Sequence, residues 1–118
     1  MSRVIDAHQH YWERGRFRDA WLDLPAHQAI SGSFGPADLE PLLRGSGVDG
    51  SIFVQTQHDL DENRWALGLA NQHPRILGVV GWVDLASPRV EEMVHGYGML
   101  ALLALIALVT VGDVSRLL

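Results

Sequence analysis

Three short apolar runs, each followed by a stretch with helical spacing, constrain the fold of this chain more than any other feature. The first run, Val4-Ile5-Asp6-Ala7-His8, is closed by Tyr11 and Trp12 and predicts a strand over residues 3–8. The second, residues 51–56, reads as a buried strand, and the third, residues 76–83, is continuous rather than alternating, as in a strand covered on both faces. Between the runs, Pro36 suits a first helical turn, and Leu39, Leu42 and Leu43 recur at helical spacing until Gly45 and Gly47 offer a stop. Pro41 sits awkwardly in that helix, because its ring lies within the first turns. Asp59, with Glu62 three residues on, has the layout of a capping box; Trp65, Ala66, Leu69 and Ala70 then form an apolar stripe that ends before Pro74. Ser87 and Pro88 open a third helix through Met93. Strands alternating with helices at this spacing imply right-handed crossovers and a parallel sheet, an α/β fold. Residues 13–35 have no period, and a loop of that length directly after the first strand is expected to act as a lid or wall over its end.

The length of 118 residues suits one modest domain. A formal charge of -5 argues against nucleic acid as a partner, since its binders carry basic patches. Without cysteine there is neither a disulfide framework nor a thiolate site, and the first residues lack the pattern of a signal peptide; both point to the cytoplasm. The character changes near Met93. No formally charged residue lies between Met93 and Gly112, and residues 99–111 predict a helix apolar all round, to be buried in protein or in lipid. Such a helix spans roughly 20 Å against a hydrocarbon core of roughly 30 Å, so a membrane anchor over residues 94–112 ranks behind a tail that arises from a frameshift or a premature end. Residues 1–93 are therefore read as one domain and residues 94–118 as an apolar tail.

The chemistry gathers at His8 and His10. Side chains two apart on a strand leave the same face, so the two imidazoles aim at one point, at the C-terminal strand end where α/β folds build their sites. Two neutral imidazoles suit a divalent metal; the plainer alternative is a pair of satisfied structural histidines. Asp6 is expected on the same face, either receiving a ligand imidazole's second N–H or bonding local backbone amides. His58, after the second strand, and Asp84, after the third, occupy the same sheet edge and are candidates for substrate binding, although polar residues are ordinary in such loops. Trp12 joins them by its place beside the histidines. Trp21, Trp65 and Trp82 read as core, and His27, His73 and His95 as loop or helix-end residues. Phosphate-binding glycine loops, a Gly-x-Ser-x-Gly elbow and a cysteine nucleophile are all missing.

The opening Ile5-Asp6-Ala7-His8-Gln9-His10-Tyr11-Trp12 resembles that of amidohydrolase-related (family 2) proteins, whose first barrel strand ends in His-x-His. The similarity continues through Asp38-Leu39-Glu40-Pro41-Leu42-Leu43, through Gly47-Val48-Asp49-Gly50-Ser51-Ile52-Phe53-Val54-Gln55 and through Gly78-Val79-Val80-Gly81-Trp82-Val83-Asp84-Leu85. Within the family these blocks are most similar to sugar-lactone hydrolases of the fuconolactonase type, and Pro41 becomes a family habit. The resemblance implies a (β/α)8 TIM barrel of the metal-dependent hydrolase type, with a site at its mouth that hydrolyses a lactone or a related ester or amide by activated water. It implies His8 and His10 as catalytic residues and as ligands of one divalent metal, zinc by preference; some members work without metal, and there the pair would bind substrate. The family's later histidines, and the aspartate that handles the water's proton, have no counterpart here. A complete barrel takes about 250 residues, whereas this chain supplies about three βα units. The chain is thus expected to be the N-terminal portion of such a barrel with an apolar C-terminal helix, truncated and inactive by itself. The alternative is a non-enzymatic fragment or a small protein tethered to a membrane through its tail.

Overall fold

The computed structural model describes residues 2–96. The expected helix over residues 99–111 lies outside the described residues, as does most of the 94–112 stretch. No helix among the described residues is long and apolar enough to cross a membrane. The chain divides into two units, Met1–Trp82 and Val83–Leu118.

The first unit is a three-stranded parallel sheet in the order β1 (Ile5–Gln9), β2 (Gly50–Val54), β3 (Ile76–Val80), with α1 (Pro36–Ser46) and α2 (Leu60–Gln72) in the connections. The α/β reading and its three βα units therefore hold. In α1, Pro36 occupies the first turn, and the Gly35 N–H donates to Asp38 Oδ2 at 2.8 Å. The helix ends at Gly47, whose φ of 70° is left-handed, and the Val48 N–H returns to the Leu43 carbonyl at 2.9 Å in a Schellman closure. Leu39 and Leu43 face inward, but Leu42, expected in the same stripe, is exposed.

One face of the sheet holds the core. Phe53 is fully buried, its ring edge-on to Tyr11 at 5.0 Å and to Trp65 of α2 at 5.8 Å, with Ala66 and Ile76 closing the cluster. The Tyr11 hydroxyl meets Ser51 Oγ at 3.2 Å, and burial pushes the phenol above its ordinary pKa. At the N-terminal end of the strands Glu40 lies between Arg44 (2.8 Å) and Arg75 (3.0 Å), and the Arg44 hydrogen bond holds its carboxyl below the usual range.

The opposite face differs from expectation. Residues 76–83 are expected to be covered on both sides, yet Ile5, Leu77 and Val80, which line the second face with Ile52 and Val54, are 37%, 40% and 50% exposed. Within the first unit no helix packs there, and a sheet this narrow cannot close on itself. Residues 13–35, without period in the sequence, have local structure. They form two short 3₁₀ turns, Ala20–Asp23 and Pro25–Ile30, and return to β1 through paired Trp12 and Phe34 backbones (3.0 and 2.9 Å), with Leu22 buried beneath.

In the second unit Ser87 Oγ accepts the Arg89 N–H at 3.2 Å, and residues 90–96 are helical.

Candidate active site at the end of the first strand

The register of β1 decides what faces what. Asp6 pairs with Ser51 and Gln9 with Phe53, three steps against two, so one extra residue bulges β1 between them. Asp6 therefore sits in register with buried Ser51 on the helix side, and its charge bears on Tyr11 there. Its carboxylate accepts the His8 backbone N–H at 3.1 Å. The expectation that Asp6 shares a face with the histidines is corrected by this bulge, which inverts the alternation.

Beyond the bulge Gln9 and Tyr11 point to the helices, and His8 and His10 stand on the open face, their rings edge-on with centroids 4.8 Å apart. His10 Nδ1 lies 2.8 Å from the Val54 carbonyl, which can only accept, so Nδ1 carries a proton, and in the neutral imidazole Nε2 is left with a bare lone pair. His8 Nε2 approaches that lone pair at 3.1 Å. This is the arrangement a metal ligand requires, with the far nitrogen anchored on a backbone carbonyl and the near one aimed. Two nitrogens 3.1 Å apart can both reach one ion at about 2.0–2.1 Å, subtending about 98°, which suits neighbouring ligands of a tetrahedral or octahedral ion. The pair fits a divalent metal as two of its ligands. Among the described residues no group of three or more His, Cys, Asp or Glu could hold one.

The other candidates do not all join the pair. Trp12 is drawn into the 13–35 segment, its Nε1 donating to the Gly32 carbonyl at 2.8 Å and its ring against Phe34 and Trp21. His58 stacks on Trp82 at 5.5 Å with only 20° between the planes, and lines a cleft of about 240 Å³ with Arg18, Thr56, Gln57 and Asp59. Asp84 belongs to the second unit, where its carboxylate accepts the Ala86 N–H at 3.0 Å.

Two residues shape this edge in ways that local spacing does not reveal. Glu62, fully buried, accepts from Thr56 N (2.8 Å), Thr56 Oγ1 (2.7 Å) and Gln57 N (2.7 Å). The capping-box layout is thus not realised: Asp59 caps Asp61 at 2.8 Å, while Glu62 reaches past it to the loop before the helix. Asn63 clamps the Trp82 backbone from both sides, donating to its carbonyl at 2.6 Å and accepting its N–H at 2.8 Å. One turn of α2 therefore fixes the loop after β2 and the end of β3.

No family model matches the chain. Among curated proteins it is 43% identical over 87 residues to L-fucono-1,5-lactonase of Burkholderia ambifaria, covering 74% of this chain and 30% of that enzyme. It is 37% identical over 93 residues to L-fucono-1,5-lactonase of Burkholderia multivorans, covering 76% and 30%. Among solved structures, an amidohydrolase of Burkholderia multivorans with bound zinc superposes with a TM-score of 0.72 at 33% identity, over 79% of this chain and 32% of that one. The same protein with bound HEPES gives 0.73 at 32% identity. The chain spans about a third of the length of these relatives. It is a partial match to the L-fucono-1,5-lactonases and amidohydrolases, its three parallel βα units corresponding to an N-terminal part of the amidohydrolase TIM barrel.

Proposed function

We propose that this chain is part of a hydrolase that opens a lactone, or a related ester or amide, with water. The observation that carries the reading is the His8–His10 pair, set on the open face of a sheet that superposes on an amidohydrolase with bound zinc. In the proposed reaction water adds to the carbonyl carbon, the ring C–O bond breaks, and the ring oxygen leaves as a hydroxyl after taking a proton. His10, anchored by Val54, and His8 would hold one divalent ion, zinc by preference, through their Nε2 atoms. When bound, such an ion polarises a carbonyl oxygen and acidifies water. In a metal-independent variant the same two nitrogens would bind the substrate carbonyl directly. Trp12, His58 and Asp84 are proposed to contact substrate, residues 1–93 to form the barrel-type part and residues 94–118 an apolar addition. The absence of cysteine suits a cytoplasmic setting.

A second reading, in which these 118 residues alone carry no activity, is favoured by the described residues' offering only two ligands together where a catalytic metal takes about three. The chain assayed by itself tests the second reading, and a hybrid tests the first. Joined to the C-terminal two thirds of the Burkholderia ambifaria lactonase, the chain is expected to hydrolyse sugar 1,5-lactones, and His8→Ala or His10→Ala to lower the rate by about 100-fold or more. If the soluble, folded hybrid hydrolyses no lactone, ester or amide in a broad panel, the hydrolase reading falls.

A further inference from the structure

The cleft beside His58 has a composition that the histidine pair does not explain. Arg18 and Asp59 both line it, yet neither takes part in an ion pair among the described residues, although seven such pairs form elsewhere. Asp59 uses one carboxylate oxygen, Oδ1, to cap α2. Thr56 Oγ1 is committed to Glu62, and His58 is held flat by its stack on Trp82. The floor is fixed as well, because Glu62 pins the Thr56 and Gln57 amides. Two opposite charges lining one cleft, neither in an ion pair among the described residues, call for a group that accepts from a guanidinium and donates to a carboxylate. A lone carboxylate or phosphate would satisfy Arg18 but be repelled by Asp59, a lone ammonium the reverse, and a zwitterion would serve only if its charges matched the separation of the two side chains. A hydroxyl does both, and two adjacent hydroxyls do so with one donor or acceptor each. At about 240 Å³ the cleft is below the about 300–1,000 Å³ of a whole-ligand pocket, so it holds part of a molecule.

We propose that the cleft lined by Arg18, Thr56, Gln57, His58 and Asp59 is a subsite for the adjacent ring hydroxyls of a cyclic polyol. Arg18 donates to one hydroxyl oxygen, and the second hydroxyl donates to the free oxygen of Asp59. The identity of the ring, a sugar lactone, rests on the hydrolase reading above; the cleft's choice of hydroxyls over a charged group does not.

The test is a nuclear magnetic resonance titration of the full chain with methyl α-L-fucopyranoside, which cannot be hydrolysed as a lactone, and with tetrahydropyran, which lacks hydroxyls. The expected result is a saturable shift of the Gln57, His58 and Asp59 amides by the pyranoside and none by tetrahydropyran. Arg18→Ala and Asp59→Asn should each weaken binding by about fivefold or more. Asparagine is as good a helix cap as aspartate, so Asp59→Asn removes the charge without unseating α2. Equal binding by wild type and both variants, equal shifts by the two probes, or no shift at about 50 mM pyranoside would overturn the proposal. Pyranoside binding with an inactive hybrid would support this subsite while removing the lactonase, and an active hybrid without pyranoside binding would overturn the subsite alone.

Discussion

Glu62→Ala is expected to cost about 3–5 kcal/mol of folding stability, read as a fall in the urea midpoint of the full chain. The side chain is fully buried and its two oxygens satisfy three donors, all from Thr56 and Gln57. Alanine leaves two backbone N–H groups and a hydroxyl without partners in a closed space, and each carries a desolvation penalty of about 1–3 kcal/mol, relieved in part by water entry. Glu62→Gln keeps the shape and one acceptor oxygen, and should cost roughly half as much. Faster hydrogen exchange at the Thr56 and Gln57 amides should accompany both losses. An alanine variant as stable as wild type would mean that the loop after β2 is held by something else.

Gly50→Ala should be of similar size, about 2–4 kcal/mol, for a steric reason. A Cβ at Gly50 would lie 2.7 Å from the Arg75 carbonyl oxygen and 2.8 Å from Leu77 Cγ and Cδ1. That carbonyl accepts the Ser51 N–H at 2.8 Å, so the clash cannot be relieved without opening the first rung between β2 and β3. Gly68→Ala in α2 is the matched control. Nothing lies within 4 Å of the new methyl, and removing a helix glycine should raise stability by about 0.5–1 kcal/mol. Thermal melts of the two variants should therefore move in opposite directions, and a Gly50→Ala protein melting with wild type would contradict the register given for β2 and β3.

These two sites also show where the sequence could be read and where it could not. Element type follows from patterns within one segment: apolar runs for the strands, the Trp65, Ala66, Leu69, Ala70 stripe for α2, Pro36 and Gly47 for the ends of α1. Strand ends depend instead on side chains from another element. A strand expected over residues 51–56 stops at Val54 because the Thr56 and Gln57 amides go to Glu62. One expected through residue 83 stops at Val80, since the Trp82 N–H is taken by Asn63. Glu62 could not be recognised because its spacing from Asp59 fits a capping box equally well. The His8–His10 pair was legible because period-two alternation is local. Asp6 was misplaced because a bulge leaves no mark in composition. Arg18 lies 40 residues from His58 in a segment without periodicity, and only the fold brings them to one cleft.

The central claim is that His8 and His10 form one side of a divalent metal site whose remaining ligands are not among the described residues. Calorimetric titration of zinc into the full chain tests it most directly. One ion per chain is expected to bind, with a dissociation constant of about 10 µM or weaker, and the signal to be lost in both His8→Ala and His10→Ala. Tight stoichiometric binding in the nanomolar range, or binding that survives either substitution, would contradict it.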